Sequence, residues 1–284
     1  IFINIINGFQ KIHITTFIEK FICNPFRILL CVMLVNMGFG FLGFLIAEIF
    51  ASILAFMLLA KNVYALLKTI NLPNIFSNSI IYLSSEEKSY SNNILLQNIF
   101  SELTLHFVKI LVLFYTDLKI LGIYALLVSI VAFIPVVHNS VNSIFKPIIS
   151  QLHTEKKDRT IEKYFQIITK YTFIFSLPVI VCLLISRDII LNYLDINTHI
   201  VEIVFVLLIL KEFMKVTKGS VYITLQMMGY DKEIRNIGLF HLITTLILFF
   251  ILIPEYGFIG IGLAEILSVA ISITISSIIL YNKS

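Results

Sequence analysis

"YGFIGIGLAEI" (Tyr256–Ile266) repeats, late in the chain, a phrase written near its start, "GFLGFLIAEI" (Gly40–Ile49). At a shift of 217 positions Gly40 meets Gly257, Phe41 meets Phe258 and Gly43 meets Gly260, and Ala47-Glu48-Ile49 meets Ala264-Glu265-Ile266. A second echo joins "NGFQK" (7–11) to "MGYDK" (228–232) at a shift of 221, pairing Gly8 with Gly229 and Lys11 with Lys232. Two matches at nearly one offset point to an internal duplication. Within each phrase small residues recur every fourth position, as Gly43, Ala47 and Ala51 and as Gly260, Ala264 and Ser268. Such stripes let helix backbones approach closely in lipid, and Gly257 and Gly260 also permit a sharp turn after Pro254.

The surrounding composition agrees with lipid as the solvent. The 284 residues are 58% hydrophobic and 13% charged, with mean hydropathy +0.97. Soluble domains carry about 45–50% apolar and about 25% charged residues. Trp is absent, so an interfacial aromatic belt rests on Phe and Tyr. Cys23, Cys31 and Cys182 lie apart in apolar runs and read as buried small hydrophobes rather than redox or metal ligands. The chain opens on Ile with no charged leader region, and we read it as beginning late in a helix of a longer protein.

At about 20 residues per crossing, the sequence predicts spans at 1–11 (cut short), 16–38 and 41–60. After the polar stretch "LSSEEKSYSNN" (83–93), further spans are expected at 94–115, 121–145, 165–186, 199–227, 234–253 and 258–281. Alternating sides put Lys11, Lys20, Arg27, Lys61, Lys68, Lys88 and Lys146 together, with Lys156, Lys157, Arg159, Lys163, Lys170, Lys232, Arg235 and Lys283. Only Lys119 and Arg187 fall opposite. The positive-inside rule then makes the linker side and the C-terminus cytoplasmic. The repeated phrases open the third and ninth spans, so the period is six spans, an even number that makes the repeats parallel. The expected organisation is the end of a first lobe (1–60), a cytoplasmic inter-lobe linker (61–93) and a complete six-helix second lobe (94–284).

Ionisable residues inside spans are functional candidates by default. Glu48 and Glu265 lie about 10 Å along their helices, and serve either proton or cation coupling or a hydrogen bond to a neighbouring helix. In the seventh span "VEIVFVLLIL" (201–210) covers only about 15 Å, so the span is expected to continue through "KEFMKVTKGSVYITLQMM". Lys211, Lys215 and Lys218 then share one face at i, i+4 and i+7, beside Glu212, a further coupling candidate. That face lines a watery cavity or meets anions; the alternative is a shorter tilted helix leaving the lysines at the cytoplasmic surface. Glu102, His106 and Lys109 repeat the spacing in the fourth span, where Glu102 and His106 can pair along the helix and leave Lys109 free. His138, Asn139, Asn142 and Ser143 give the fifth span a polar inner end. The sum is a cavity that leans positive and suits phosphate-bearing cargo.

Three stretches carry a family resemblance: "GIYALLVSIVAFIPVVHNSVNSIFKPIISQLH" (122–153), "LQMMGYDKEIRN" (225–236) and "LIPEYGFIGIGLAE" (252–265). In their order they resemble the second lobe of bacterial polysaccharide-export flippases, of the multidrug/oligosaccharidyl-lipid/polysaccharide exporter superfamily. The resemblance implies an all-α integral membrane protein of two six-helix lobes, working by alternating access in the bacterial cytoplasmic membrane. Its implied cargo is an undecaprenyl-pyrophosphate-linked oligosaccharide, whose pyrophosphate and sugars would meet Lys109, Lys211, Lys215 and Lys218. Polysaccharide polymerase and glycosyltransferases are the expected partners, besides the lipid-linked sugar and the bilayer. No cofactor, metal or nucleic acid is called for. A cation-coupled multidrug exporter of the same fold is the alternative and would favour carboxylates and aromatics in the cavity. A membrane glycosyltransferase or polymerase is more remote, since the sequence has no HExxH, GxSxG or clustered Asp motif.

Overall fold

Glycine and proline positions set the boundaries of an all-helical chain. The computed structural model describes residues 6, 14–15, 17–69 and 84–283, and no strand occurs among them. The echo at residues 7–11 therefore lies outside the described residues. The chain divides into two compact units, Ile1–Tyr82 and Leu83–Ser284.

In the first unit a π-helical turn, Phe17–Cys23, leads into α1 (Asn24–Leu34). A second π-helical turn, Val35–Phe39, leads into the 30-residue α2 (Gly40–Thr69). Pro25 stands where the π-helical turn passes into α1, and it has no N–H to give the preceding turn. Gly40 (φ 50°, ψ −129°) reverses the chain, and a Cβ on Gly43 would meet Leu34 Cβ at 3.0 Å. Ala47 and Ala51 continue that small-residue seam and are buried.

The second unit holds α3 (Ser85–Tyr115), α4 (Leu118–Val131), α5 (Phe133–Thr154) and α6 (Asp158–Ile185). It continues with α7 (Arg187–Tyr193), α8 (His199–Lys218), α9 (Val221–Met227) and α10 (Asp231–Lys283). The stretch expected as linker up to residue 93 is helical from Ser85. Ser84 accepts from the Glu87 backbone N–H at 3.1 Å while Glu87 accepts from the Ser84 N–H at 2.8 Å, a capping box that starts α3. The expected span 121–145 is two helices. Pro135 has no N–H to give the Val131 carbonyl, and the chain turns at Ala132.

Helix α10 has 53 residues, about 80 Å at 1.5 Å per residue, against a hydrocarbon core of ~30 Å. It folds back on itself at Gly257 (φ 54°, ψ −129°), giving two limbs. A Cβ on Gly260 would lie 2.1 Å from the Leu252 carbonyl oxygen, so the limbs touch backbone to backbone there. Five helical stretches among the described residues are long and apolar enough to cross a membrane, and two of these, Phe17–Leu66 and Asp231–Asn282, contain such a turn. The protein is a multi-pass membrane protein.

Lipid is as apolar as a buried leucine, so small-residue contacts and polar ties decide helix packing here. The first limb of α10 runs beside α3 in the same direction: Asn93 donates to Asp231 and accepts from Arg235, Gly238 packs on Gln97, and Tyr115 meets Phe250 edge-on. An apolar core built around Phe205, Leu208, Ile209, Leu127 and Phe249 joins α4, α8 and α10. Cys182, expected to be buried, is exposed on α6, while Cys23 is buried.

Candidate functional site

The seventh predicted span does continue from His199 to Met227, but as two helices rather than one. Thr198 caps α8, accepting from the Val201 N–H at 3.3 Å. The helix stops at Gly219, whose φ of 70° and ψ of −156° belong to a region open essentially to glycine alone. Absence of a side chain is required there twice over, since a Cβ would lie 2.1 Å from Thr169 Oγ1 on α6. Ser220, buried just past the break, donates to the buried Asn142 of α5. The polar inner end expected for the fifth span thus fastens the broken helix.

The three lysines of α8 do not act as one face. Lys211 is buried, and its ammonium bonds the Glu265 carboxylate on the second limb of α10 and reaches Glu212 at 3.3 Å. Tyr124 of α4 donates to the same Glu265. Three elements are thereby tied at one carboxylate. Lys215 bonds Glu212 at 2.8 Å but keeps 45% of its side chain exposed, against 11% for Lys211. Lys218, half-buried at the helix end, has no carboxylate within ion-pair distance among the described residues. Of the three lysines expected to line a cavity or meet anions, the first is taken by a carboxylate 54 positions away in sequence.

Two cavities share these groups. The larger, about 440 Å³, is lined by His138 and Asn139 of α5, Glu212, Lys215 and Lys218 of α8, Tyr222 of α9, and His241 and Ser272 of α10. The smaller, about 210 Å³, is lined by Lys109, Tyr124, Lys211, Lys215, His241, Thr245 and Glu265 among others. Lys215, His241 and Val269 form the wall common to both. His241 lies about 15 Å along the first limb of α10, and Glu265 about 12 Å beyond the Gly257 turn. Polar groups so deep in apolar helices face a water-filled cavity or pair with one another, as Glu265 does with Lys211 and Tyr124. Three polar atoms in the walls of the larger cavity have no hydrogen-bond partner: Nδ1 of His138, Nδ1 of His241 and the Tyr222 hydroxyl. His241 stands alone in an apolar run, and Tyr222 follows Lys218-Gly219-Ser220 with no spacing that marks a site; only the fold brings them to one cavity.

The remaining candidates divide. Lys109 lines the smaller cavity. Glu102 and His106 pair with each other at 3.9 Å on the exposed face of α3 and line neither cavity. In the first unit Glu48 accepts two bonds from Arg27 at 3.2 Å, and Arg27 also donates to Asn24, beside a cavity of about 360 Å³. The residue 217 positions beyond Arg27 is Thr244, which bonds its own helix at Phe240. The repeat keeps the carboxylate and changes the source of its counter-ion, which for Glu265 comes from α8.

No curated protein and no solved structure matches the chain. Residues 94–217, from the third turn of α3 to Thr217 of α8 and thus with Lys211 and Lys215 but not Lys218, match the MatE family model, and over that stretch the chain is similar to a family of membrane transporters rather than enzymes.

Proposed function

We propose that this protein is a flippase that moves a polyprenyl-pyrophosphate-linked oligosaccharide across the bacterial cytoplasmic membrane for cell-surface polysaccharide export. The observation that carries the reading is the surplus of ammonium groups around the second-unit cavities. Lys211 and Lys215 are answered by Glu265 and Glu212, while Lys218 and Lys109 have no carboxylate partner among the described residues. A cavity whose carboxylates are already engaged favours an anionic head group over a cationic drug. Lysine holds such a group as a flexible point charge. The prenyl tail stays in lipid and only the polar head crosses, so a cavity that accepts the diphosphate is sufficient to capture the cargo. Rocking of two lobes then exposes the head to either side, with polymerase and glycosyltransferases acting before and after the step.

The rival, a cation-coupled multidrug exporter, draws on the same similarity and would use Glu212, Glu265 or Glu48 as coupling carboxylates. Both readings are tested by surface-polysaccharide export in cells whose own gene is replaced by a variant. Lys218→Ala and Lys215→Ala should abolish export at normal protein level. Full export by both variants would remove the diphosphate anchor from the proposal.

A further inference from the structure

The wall of the larger cavity carries two kinds of group. Lys215 and Lys218 of α8 supply ammonium charge, while α5, α9 and α10 supply His138, Asn139, Tyr222 and His241. In that second set Nδ1 of both histidines and the Tyr222 hydroxyl are buried without a hydrogen-bond partner, which carries a desolvation cost. Hydroxyls elsewhere in these apolar helices escape that cost by donating to the carbonyl four residues back, as Thr104, Ser129, Thr244 and Thr245 do. A phenol at the far end of a rigid ring cannot reach its own helix in this way. The Tyr222 ring packs on the apolar cluster of Leu225 and Ile234, which fixes where its hydroxyl stands. His138 lies one turn before Asn142 on the same face of α5, and Tyr222 follows Ser220 by two residues. The Ser220–Asn142 hydrogen bond therefore registers α9 against α5 at this wall.

An oxyanion answers only half of this wall. It accepts hydrogen bonds and gives none, which suits ammonium groups. A phenol both gives and takes a hydrogen bond, an imidazole nitrogen does one or the other, and the Asn139 amide offers both kinds of group. The ligand that matches such a mixed set is a polyol, since every hydroxyl is donor and acceptor at once. Resting on the lipid-linked cargo reading above, we propose that the first sugar ring of the cargo is read here by Tyr222, His138 and His241, beside a diphosphate held on Lys215 and Lys218. At about 440 Å³ the cavity has the size of sites that take a small ligand whole, ring and diphosphate together. The division of labour follows from the chemistry. Lysines hold any head group that carries the charge and do not distinguish one sugar from another. The uncharged groups do distinguish, because a sugar that leaves one of them without its bond strands a buried polar atom. Tyr222, His138 and His241 are thus specificity-determining residues, contributed by three different helices.

Titration calorimetry of the purified protein in detergent, with diphosphate diesters of equal charge, tests this. Dimethyl diphosphate has no ring, and methyl cyclohexyl diphosphate has a ring without hydroxyls. The methyl glycosyl diphosphates carry glucose, galactose, N-acetylglucosamine or N-acetylgalactosamine. At least one glycosyl diester should bind the parent about tenfold or more tighter than either control. Tyr222→Phe keeps the ring and loses the hydroxyl, and should cut that advantage by about threefold or more. His138→Leu and His241→Leu should cut it likewise. Lys218→Ala should instead weaken the glycosyl and dimethyl diesters in proportion, leaving the advantage as it was. Equal binding of glycosyl and dimethyl diesters by the parent would mean that water alone fills this wall; it overturns the inference and leaves the anion site standing. A cyclohexyl diester as tight as the best sugar also overturns it, because ring burial then suffices. So does an advantage that survives all of Tyr222→Phe, His138→Leu and His241→Leu. A parent that binds none of the diesters overturns both this inference and the flippase reading. The parent's preference for sugar over cyclohexyl decides the matter even where a variant does not fold.

Discussion

Gly257 repeats the backbone of Gly40: φ 54° and ψ −129° against φ 50° and ψ −129°, at the same place in the duplicated phrase. Three residues on, Gly43 and Gly260 are the two points where each hairpin closes on itself. The duplication is thus a duplicated hairpin, and its glycines have two separable duties, turning and close approach.

Those duties predict different costs. Nothing lies within 4 Å of a Cβ on Gly40 or Gly257, so alanine there meets only backbone strain, about 1–3 kcal/mol. Gly260→Ala must also displace the Leu252 backbone, so its loss of thermal stability in detergent should exceed that of Gly257→Ala. Gly43→Ala meets Leu34 Cβ at 3.0 Å and its backbone carbonyl carbon at 3.2 Å, a looser approach than the 2.1 Å at Gly260, and should be the milder partner.

The Lys211–Glu265 pair predicts strong non-additivity. Lys211→Met takes the ammonium from a buried carboxylate, costing about 3–5 kcal/mol, while Glu265→Leu leaves Lys211 its contact with Glu212 at 3.3 Å and should cost less. The double variant Lys211→Met/Glu265→Leu leaves neither charge, and should recover most of the unfolding temperature lost by Lys211→Met. Additive losses would mean that the pair does not join α8 to α10. The same double variant should retain anion binding, because Lys218 and Lys215 remain.

At the break in α8, Gly219→Ala combines a glycine-only backbone with a collision at Thr169. Adding Thr169→Ala removes the collision and leaves the strain. Stability of the Gly219→Ala/Thr169→Ala protein should therefore be recovered in part, and a recovery to the level of Thr169→Ala alone would show that backbone strain contributes nothing.

What could be read in the sequence was what chemistry fixes locally. Turn glycines and the small-residue seam announce themselves because conformational freedom and side-chain size are properties of the residue, and Ala47, Ala264 and Ser268 are buried as that seam requires. The start of α3 was misread because polarity at 83–93 outweighed a visible signal, Ser84 followed by Glu87 three residues later. "KGS" (218–220) likewise marked the break in α8, yet the reason no side chain fits there sits on another helix at Thr169. The partner of Lys211 could not be read at all. Helical spacing gives the face on which a charge lies, and only the packing of α10 on α8 decides that Glu265 meets it. His241 was invisible for the same reason.

The central claim is that the cavity at Lys218 holds the anionic head of a lipid-linked sugar. Its most direct test is transport in proteoliposomes loaded in parallel with a fluorescent polyprenyl-pyrophosphate sugar and with a cationic dye. The account predicts movement of the lipid-linked sugar and no dye efflux. It also predicts a rate reduced by about tenfold or more in Lys218→Ala, as expected for losing a charge-assisted contact of about 1.5–3 kcal/mol. Dye efflux without movement of the lipid-linked sugar, or sugar movement untouched by Lys218→Ala, would contradict it.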